Sequence, residues 1–109
     1  MDYGFIKVAS AVPSVRVADC KYNVEQIEEQ IVMAEGQGAE IIVFPELSIT
    51  GYTCQDLFRQ NLLLETSEAA MLMLLDFTRQ LNIISIVGLP IAVGDLLLNC
   101  AAVIQKGQI

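Results

Sequence analysis

The stretch GAEIIVFPEL, residues 38–47, decides the fold of this chain. Its near-continuous apolar run directly follows a helical pattern, which is typical of a parallel strand covered on both faces. Pro45 ends the run and keeps Phe44 extended, because the residue before a proline disfavours the α region. Glu46 comes next. The stretch therefore predicts a buried strand that places one carboxyl group at the end of a sheet.

An amphipathic helix is predicted immediately before this strand. Asn23 is its expected N-cap, with Gln26 three residues later in a capping-box pattern. Gly36 and Gly38 are suitable stop signals, because a helix end often needs a left-handed residue. The apolar residues that share one face of this helix are Val24, Ile27, Ile31 and Ala34. With a first strand predicted in residues 3–12, the order strand–helix–strand indicates a right-handed βαβ unit.

The rest of the chain predicts one more helix and two more strands. Residues 67–80 are apolar almost all round, which indicates a helix buried on more than one side. The runs at 83–88 and 97–105 are predicted strands with a turn between them. Residues 47–65 form a long irregular segment, which is uncommon in a compact domain unless it has a function. The predicted fold class is therefore α/β, with two helices and about four strands.

Length and composition indicate a single, apolar unit. The chain has 109 residues, at most one domain, and its 54 % hydrophobic and 17 % charged residues exclude disorder. That apolar share is high for a free-standing domain of this size, which buries only about 60–70 % of its unfolded surface. The chain also stops just after a predicted turn at Lys106 and Gly107. We therefore expect residues 1–109 to be an incomplete portion of one domain.

Charge and cysteine usage exclude several classes of partner. Thirteen acidic and six scattered basic residues give a net charge of −7, which argues against nucleic-acid binding. There is no histidine, and the three cysteines are far apart, so no metal site is expected. The odd number of cysteines indicates reduced thiols in a cytoplasmic protein. Polar residues and a proline interrupt the apolar region 81–104, so no membrane span is predicted either.

Glu46 is the candidate for chemistry. In open α/β sheets, ligands bind beyond the carboxyl ends of the strands, where Glu46 is predicted to lie. A rigid strand behind it and partial burial around it would raise its pKa toward the working range of a general base. A solvated or helix-capping carboxylate is the alternative, and position alone leaves both open.

A longer motif around Glu46 resembles a known family. VFPELSITGY, residues 43–52, resembles the first catalytic motif of the nitrilase superfamily of carbon–nitrogen hydrolases. TGYTCQDLF, residues 50–58, is similar to the amino-terminal glutaminase domain of glutamine-dependent NAD synthetases. The order of the elements, including IVGLP and NCAAVI, fits that family over essentially the whole chain. The resemblance implies part of a nitrilase-type α-β-β-α sandwich, one half of it, in which two sheets lie between helix layers.

The resemblance also implies a mechanism. The family hydrolyses amides with a Glu-Lys-Cys triad: the thiolate attacks, the carboxylate takes its proton, and the ammonium stabilises the tetrahedral oxygen. Glu46 is the implied general base, whereas the family's lysine and cysteine would follow Ile109. Tyr52 is implied to line the glutamine pocket; an aromatic that only pins its loop to the sheet is the alternative.

The remaining candidate nucleophiles and cations are interpreted as structural. Lys106 is expected to be an exposed turn residue. Cys100 lies in an apolar strand, where a thiol acts as a small hydrophobe. Cys20 precedes the first helix and is expected to be either structural or exposed. Cys54 is near enough to Glu46 in sequence to approach it, but no cationic neighbour is evident that would lower its pKa.

Three functions compete. The first is the glutaminase portion of a glutamine-dependent NAD synthetase, releasing ammonia from glutamine for amidation of deamido-NAD; ATP and magnesium would belong to a separate synthetase domain, and this chain alone would be inactive. The second is another amidase, carbamoylase or nitrilase of the superfamily. The third is a non-enzymatic α/β module such as an acidic receiver, against which residues 8–14, VASAVPS, offer no acidic cluster.

We also expect this chain to self-associate. In the implied parent fold, Ile84, Ile86, Cys100 and Ala102 would face missing strands, and exposed edges and apolar patches promote association. The parent protein is expected to be a homo-oligomer.

Overall fold

The computed structural model describes residues 6–16, 19–45, 48–50, 61–93 and 96–109. In chain order the elements are strand β1 (Val8–Ser10), helix α1 (Cys20–Gly36), strand β2 (Ile41–Val43), helix α2 (Asn61–Phe77), a 3-10 turn (Thr78–Gln80), strand β3 (Ile84–Val93) and strand β4 (Leu96–Ile104). The α/β class, with two helices and four strands in the described residues, is confirmed. β1 is shorter than predicted, and α2 begins at Asn61 rather than at residue 67.

The described strands form one sheet in the order β1-β2-β3-β4. β1, β2 and β3 are parallel, whereas β4 pairs antiparallel with β3. Ser10, Val43 and Ile86 lie side by side across the first three strands. The segments after β1 and β2 therefore leave the sheet at the same edge. Because β3 continues to Val93 beyond its last pair with β2, its Gly88 is open to other partners on that side.

Helix α1 begins earlier than predicted and ends as predicted. Its N-cap is Asp19, whose side chain accepts a hydrogen bond from the Tyr22 N–H at 3.1 Å. The prediction of Asn23 as N-cap is wrong, because Asp19 fills that role and Asn23 lies inside the first turns. At the other end Gly38 has φ +84°. Its N–H donates to the Glu35 carbonyl at 3.0 Å, a bond of the left-handed cap that glycine favours.

The core lies between the two helices and one face of the sheet. The predicted apolar face of α1 is buried, and it packs with residues of α2 and of the inner strands. The principal members of this core are Val24, Ile27, Ile31, Met71, Leu74, Ile42, Val87 and Ile104. The prediction that α2 is buried on more than one side is wrong. Leu72 is 66 % exposed, since no described element covers that side of the helix.

The opposite face of the sheet is apolar and uncovered in the part of the chain described. Val43 and Val103 are exposed there, and Ile84 and Ile86 are half-buried. In the described part of the chain β2 is covered on one face only, which contradicts the expectation that it is covered on both. Ile84 and Ile86 face outward as predicted, but Ala102 does not. It pairs with Val87 and belongs to the core; because side chains alternate along a strand, Cys100 shares its inward face.

Candidate active site at the carboxyl end of β2

The backbone stays extended up to the proline that precedes Glu46. The Phe44 N–H donates to the Ile86 carbonyl at 3.0 Å, which continues the ladder between β2 and β3 by one residue. The Phe44 side chain is buried in the core, whereas Pro45 is exposed. This agrees with the conformational restriction that Pro45 places on Phe44. Glu46 and Leu47 lie outside the described residues, so the role of Glu46 stays a prediction.

The chain is anchored again directly after these two residues. Ser48, Ile49 and Thr50 form a buried turn. The Ser48 hydroxyl oxygen accepts a hydrogen bond from the Gly88 N–H at 3.1 Å. The Ile49 N–H donates to the Gly88 carbonyl, also at 3.1 Å. Both sides of the segment 46–47 are therefore attached to β3.

A third attachment comes from Asn23 on α1. This side chain is fully buried. Its Nδ2 donates to the carbonyl oxygens of Ile49 and Arg16, each at 2.8 Å. Its Oδ1 accepts from the Arg16 N–H at 2.7 Å. Asn23 thus joins the segment after β1 to the segment after β2, the two segments that leave the sheet at the candidate edge.

Sequence reasoning missed this role of Asn23, although a signal was present. Asn23, Ile27 and Ile31 are spaced four residues apart, which places them on one helix face. A polar side chain on a buried stripe needs hydrogen-bond partners inside the protein. The spacing indicated a buried amide with tertiary partners more directly than it indicated an N-cap.

The segment after β1 also carries a positive charge. The Arg16 guanidinium lies over the Tyr22 ring, 3.9 Å from its centroid. The Tyr22 and Ser14 hydroxyls are hydrogen-bonded at 3.0 Å. An exposed cation–π contact of this kind is worth about 0.5–1 kcal/mol. Together these contacts hold the segment after β1 against the start of α1.

A shallow cavity of about 300 Å³ adjoins Pro45. Its lining comes from the end of β2 and the middle parts of β3 and β4, and includes Gly88, Asn99 and Cys100. A larger depression of about 640 Å³ lies on α1, among Glu25, Glu28 and Phe77. Among its described lining residues the polar side chains are carboxylates and one amide, with neither nucleophile nor cation. The smaller cavity is the better candidate because it adjoins the strand end that leads to Glu46.

The other predicted residues fall in different places. Tyr52 and Cys54 lie outside the described residues. Cys20 is buried at the start of α1, in agreement with a structural role. Lys106 is exposed in a turn with φ +52°, as expected of a turn residue. Within the described ranges, no three His, Cys, Asp or Glu residues are grouped as metal ligands, and no helix is long and apolar enough to cross a membrane.

Comparison with known proteins places this geometry in context. Residues 7–109 match the carbon-nitrogen hydrolase family. The chain is 30 % identical over 107 residues to the glutamine-dependent NAD(+) synthetase of Mycobacterium bovis, covering 98 % of this chain and 16 % of that protein. It therefore spans about one-sixth of the length of such curated relatives.

Solved structures show the same architecture. A glutamine-dependent NAD(+) synthetase from Cytophaga hutchinsonii superposes with a TM-score of 0.86 at 29 % identity, over 94 % of this chain and 17 % of that one. A Nesterenkonia AN1 amidase variant from the nitrilase superfamily gives a TM-score of 0.82 at 25 % identity, over 94 % of this chain and 40 % of the amidase. The nitrilase-type fold predicted from the sequence is confirmed.

Proposed function

The chain belongs to the carbon-nitrogen hydrolase family, and on that premise we propose that it is the amino-terminal part of the glutamine-hydrolysing domain of a glutamine-dependent NAD synthetase. One observation carries the proposal: the strand end that leads to Glu46 is attached to β3 on both sides of the segment 46–47, in a chain whose matches over nearly its whole length include NAD synthetases. A base fixed at a strand end is what amide hydrolysis by this family requires.

Glu46 is the proposed general base. It takes the proton from a cysteine thiol, and the thiolate forms a bond to the side-chain amide carbon of glutamine. A lysine ammonium stabilises the negative charge on the amide oxygen. When the C–N bond breaks, the proton held by Glu46 passes to the leaving nitrogen, and ammonia departs. Water, deprotonated by Glu46, then cleaves the thioester to give glutamate and the free thiol.

The other two groups of this triad are proposed to come from residues outside this chain. Lys106 lies in the turn that follows β4, and Cys20 is buried at the start of α1, so neither is the proposed triad residue. The 109-residue chain alone is accordingly expected to be inactive. Tyr52 is proposed to line the glutamine pocket.

The proposed complete protein passes the ammonia to a second domain, which amidates deamido-NAD. That domain, and no residue of this chain, would hold ATP and magnesium. We further propose that the complete protein is a homo-oligomer and lies in the cytoplasm. The odd number of cysteines supports the cytoplasmic location.

A second candidate function is hydrolysis of other amides. The Nesterenkonia amidase has the same fold over 94 % of this chain, so the fold alone does not distinguish the two functions. Membership of a hydrolase family leaves no support for the third possibility, a non-enzymatic acidic module.

A substrate comparison tests the proposal. Ammonia release by the complete protein is measured with glutamine, asparagine, propionamide and a carbamoyl amino acid. NAD formation is followed in parallel, with glutamine or ammonium as the nitrogen source. The proposal predicts that glutamine is strongly preferred and supports NAD formation. Equal turnover of simple amides without NAD formation would instead establish the second function.

A further inference from the structure

We propose that Asn23 is a positioning residue for Glu46, because its amide bonds the backbone of Ile49, three residues after Glu46, and joins it to Arg16. This inference rests on the proposed function of Glu46. It assigns to the first turns of α1 a part in hydrolysis that is separate from their packing.

The hydrogen bonds of Asn23 are specific in direction. The Arg16 N–H is a donor and must meet an oxygen, whereas the carbonyls of Arg16 and Ile49 must meet N–H groups. An amide offers both kinds of group, and these three partners determine which way it points. No apolar side chain could replace it without leaving these backbone groups unpaired.

The backbone of Ile49 is held from two sides. Its N–H donates to the Gly88 carbonyl of β3 at 3.1 Å, and its carbonyl accepts from Asn23 of α1 at 2.8 Å. Ile49 itself is fully buried. The position at which the chain returns after Glu46 is thereby defined relative to both the sheet and the helix.

The segments that Asn23 connects both matter for a ligand. Arg16 follows β1 and Ile49 follows β2, and the carboxyl ends of such parallel strands form the edge where ligands bind. Without the amide, Arg16 and Ile49 would lose the connection that Asn23 provides between them. Misplacement of a catalytic group by about 1 Å can cost about 100-fold in rate, even when the change lies outside the reacting groups.

Glu35 provides a matched control on the same helix. Its Oε2 accepts hydrogen bonds from the N–H groups of Asn82 at 2.9 Å and Ile83 at 3.3 Å. Like Asn23, it connects α1 to backbone far away in sequence. Asn82 and Ile83 precede β3, so these bonds lie at the amino end of the sheet, opposite the candidate site.

The test compares Asn23→Ala, Asn23→Asp and Glu35→Ala in the complete protein. Asn23→Asp retains the shape and the acceptor for the Arg16 N–H but places an oxygen against the Ile49 carbonyl. For each variant we measure kcat and KM for glutamine, the ammonium-driven rate of NAD formation, and the thermal midpoint.

We expect both Asn23 variants to lower kcat for glutamine at least about 10-fold, with KM changed less than about 3-fold and the ammonium-driven rate unchanged. Glu35→Ala should lower the thermal midpoint without lowering kcat. An unchanged kcat in the Asn23 variants would overturn the proposal, as would a fall in kcat that follows the thermal midpoint in all three variants.

Two further variants keep the outcome decisive. If neither Asn23 variant folds, Ser48→Ala removes another anchor of the same segment, and an unchanged kcat in that variant overturns the proposal. Glu46→Gln separates this inference from the function on which it rests. Full glutamine-driven activity in Glu46→Gln refutes the proposed function. If Glu46→Gln loses that activity while the Asn23 variants keep it, only the positioning role of Asn23 is refuted.

Discussion

The hydroxyl oxygen of Ser48 accepts a hydrogen bond from the backbone N–H of Gly88 at 3.1 Å, in a place where both groups are buried. Gly88 lies just past the last residue of β3 that pairs with β2. Ser48 and Ile49 therefore occupy the side of Gly88 where a neighbouring strand would pair, and they attach the chain to β3 two residues after Glu46.

Ser48→Ala should loosen this edge of the sheet. The Gly88 N–H would lose its acceptor inside the protein, which costs about 1–3 kcal/mol. Hydrogen exchange of the Gly88 amide should accelerate by at least about 10-fold in the complete protein. Ser14→Ala is the control, because that hydroxyl bonds the Tyr22 hydroxyl at the surface. Equal Gly88 exchange in both variants would contradict the importance of this bond.

Two glycines at the end of α1 should respond oppositely to alanine. Gly36 is the last helical residue and Gly38 follows with φ +84°, and an added Cβ meets nothing within 4 Å at either position. Gly38→Ala should destabilise by about 1–2 kcal/mol, the cost of a left-handed residue with a Cβ. Gly36→Ala should stabilise by about 0.5–1 kcal/mol. Urea unfolding measures both, and a shift of the same sign in the two variants would refute this account of the cap.

The uncovered sheet face should cause the isolated 109-residue chain to associate. Val103 on this face and Val32 on α1 are 51 % and 53 % exposed, so they form a matched pair. Val103→Lys should reduce light scattering of the chain by at least about half, because a charge on the apolar face opposes its burial against a partner. Val32→Lys should leave the scattering nearly unchanged. A monomeric unsubstituted chain in dilute solution would show that this face does not drive association.

Glu28 should make a small, pH-dependent contribution to stability. Partial burial, and to a smaller extent the charge of Glu25, raise the pKa of Glu28. A carboxyl with a raised folded-state pKa favours folding while it is protonated, and that contribution is lost as pH rises through the folded pKa. Glu28→Gln should therefore stabilise the protein at pH 7, by at most a few tenths of a kcal/mol since the group is partly exposed.

The pH dependence of Glu28→Gln provides the check. Its advantage over the unsubstituted protein should disappear as pH falls below about 4.3, the ordinary glutamate pKa. Glu29→Gln, a substitution of an exposed neighbour on the same helix, is the control. Thermal midpoints of both variants and of the unsubstituted protein, measured from pH 3 to pH 8 at intervals of about one pH unit, would show this pH dependence. A Glu28→Gln advantage that grows toward low pH would contradict the assignment.

Local rules predicted the parts of the fold that depend on neighbouring residues. The extended Phe44 follows from Pro45, and the left-handed cap follows from Gly38. The start of α1 was predicted wrongly, because Asp19 and Asn23 are both good N-cap residues and only tertiary contacts decide between them. Ala102 was placed on the wrong face because NCAAVI has apolar residues in both phases of the strand alternation.

Less of the candidate site than of the fold could be predicted. The motif around Glu46 indicated the family, which the comparisons confirm. The attachments that surround it connect Asn23 to Ile49 and Ser48 to Gly88, residues separated by 26 and 40 positions. The periodicity of a single helix or strand relates only residues a few positions apart, so it could not predict these pairs. They became visible only when the helix, the turn and the sheet were assembled.

The central claim is tested most directly by Glu46→Gln in the complete protein, with exposed Glu29→Gln as the matched control. The measurement is the ratio of glutamine-driven to ammonium-driven NAD formation. Loss of a general base costs about 100- to 10,000-fold, so the ratio should fall at least about 100-fold in Glu46→Gln and stay constant in Glu29→Gln. A ratio in Glu46→Gln equal to that of the unsubstituted protein would contradict the account.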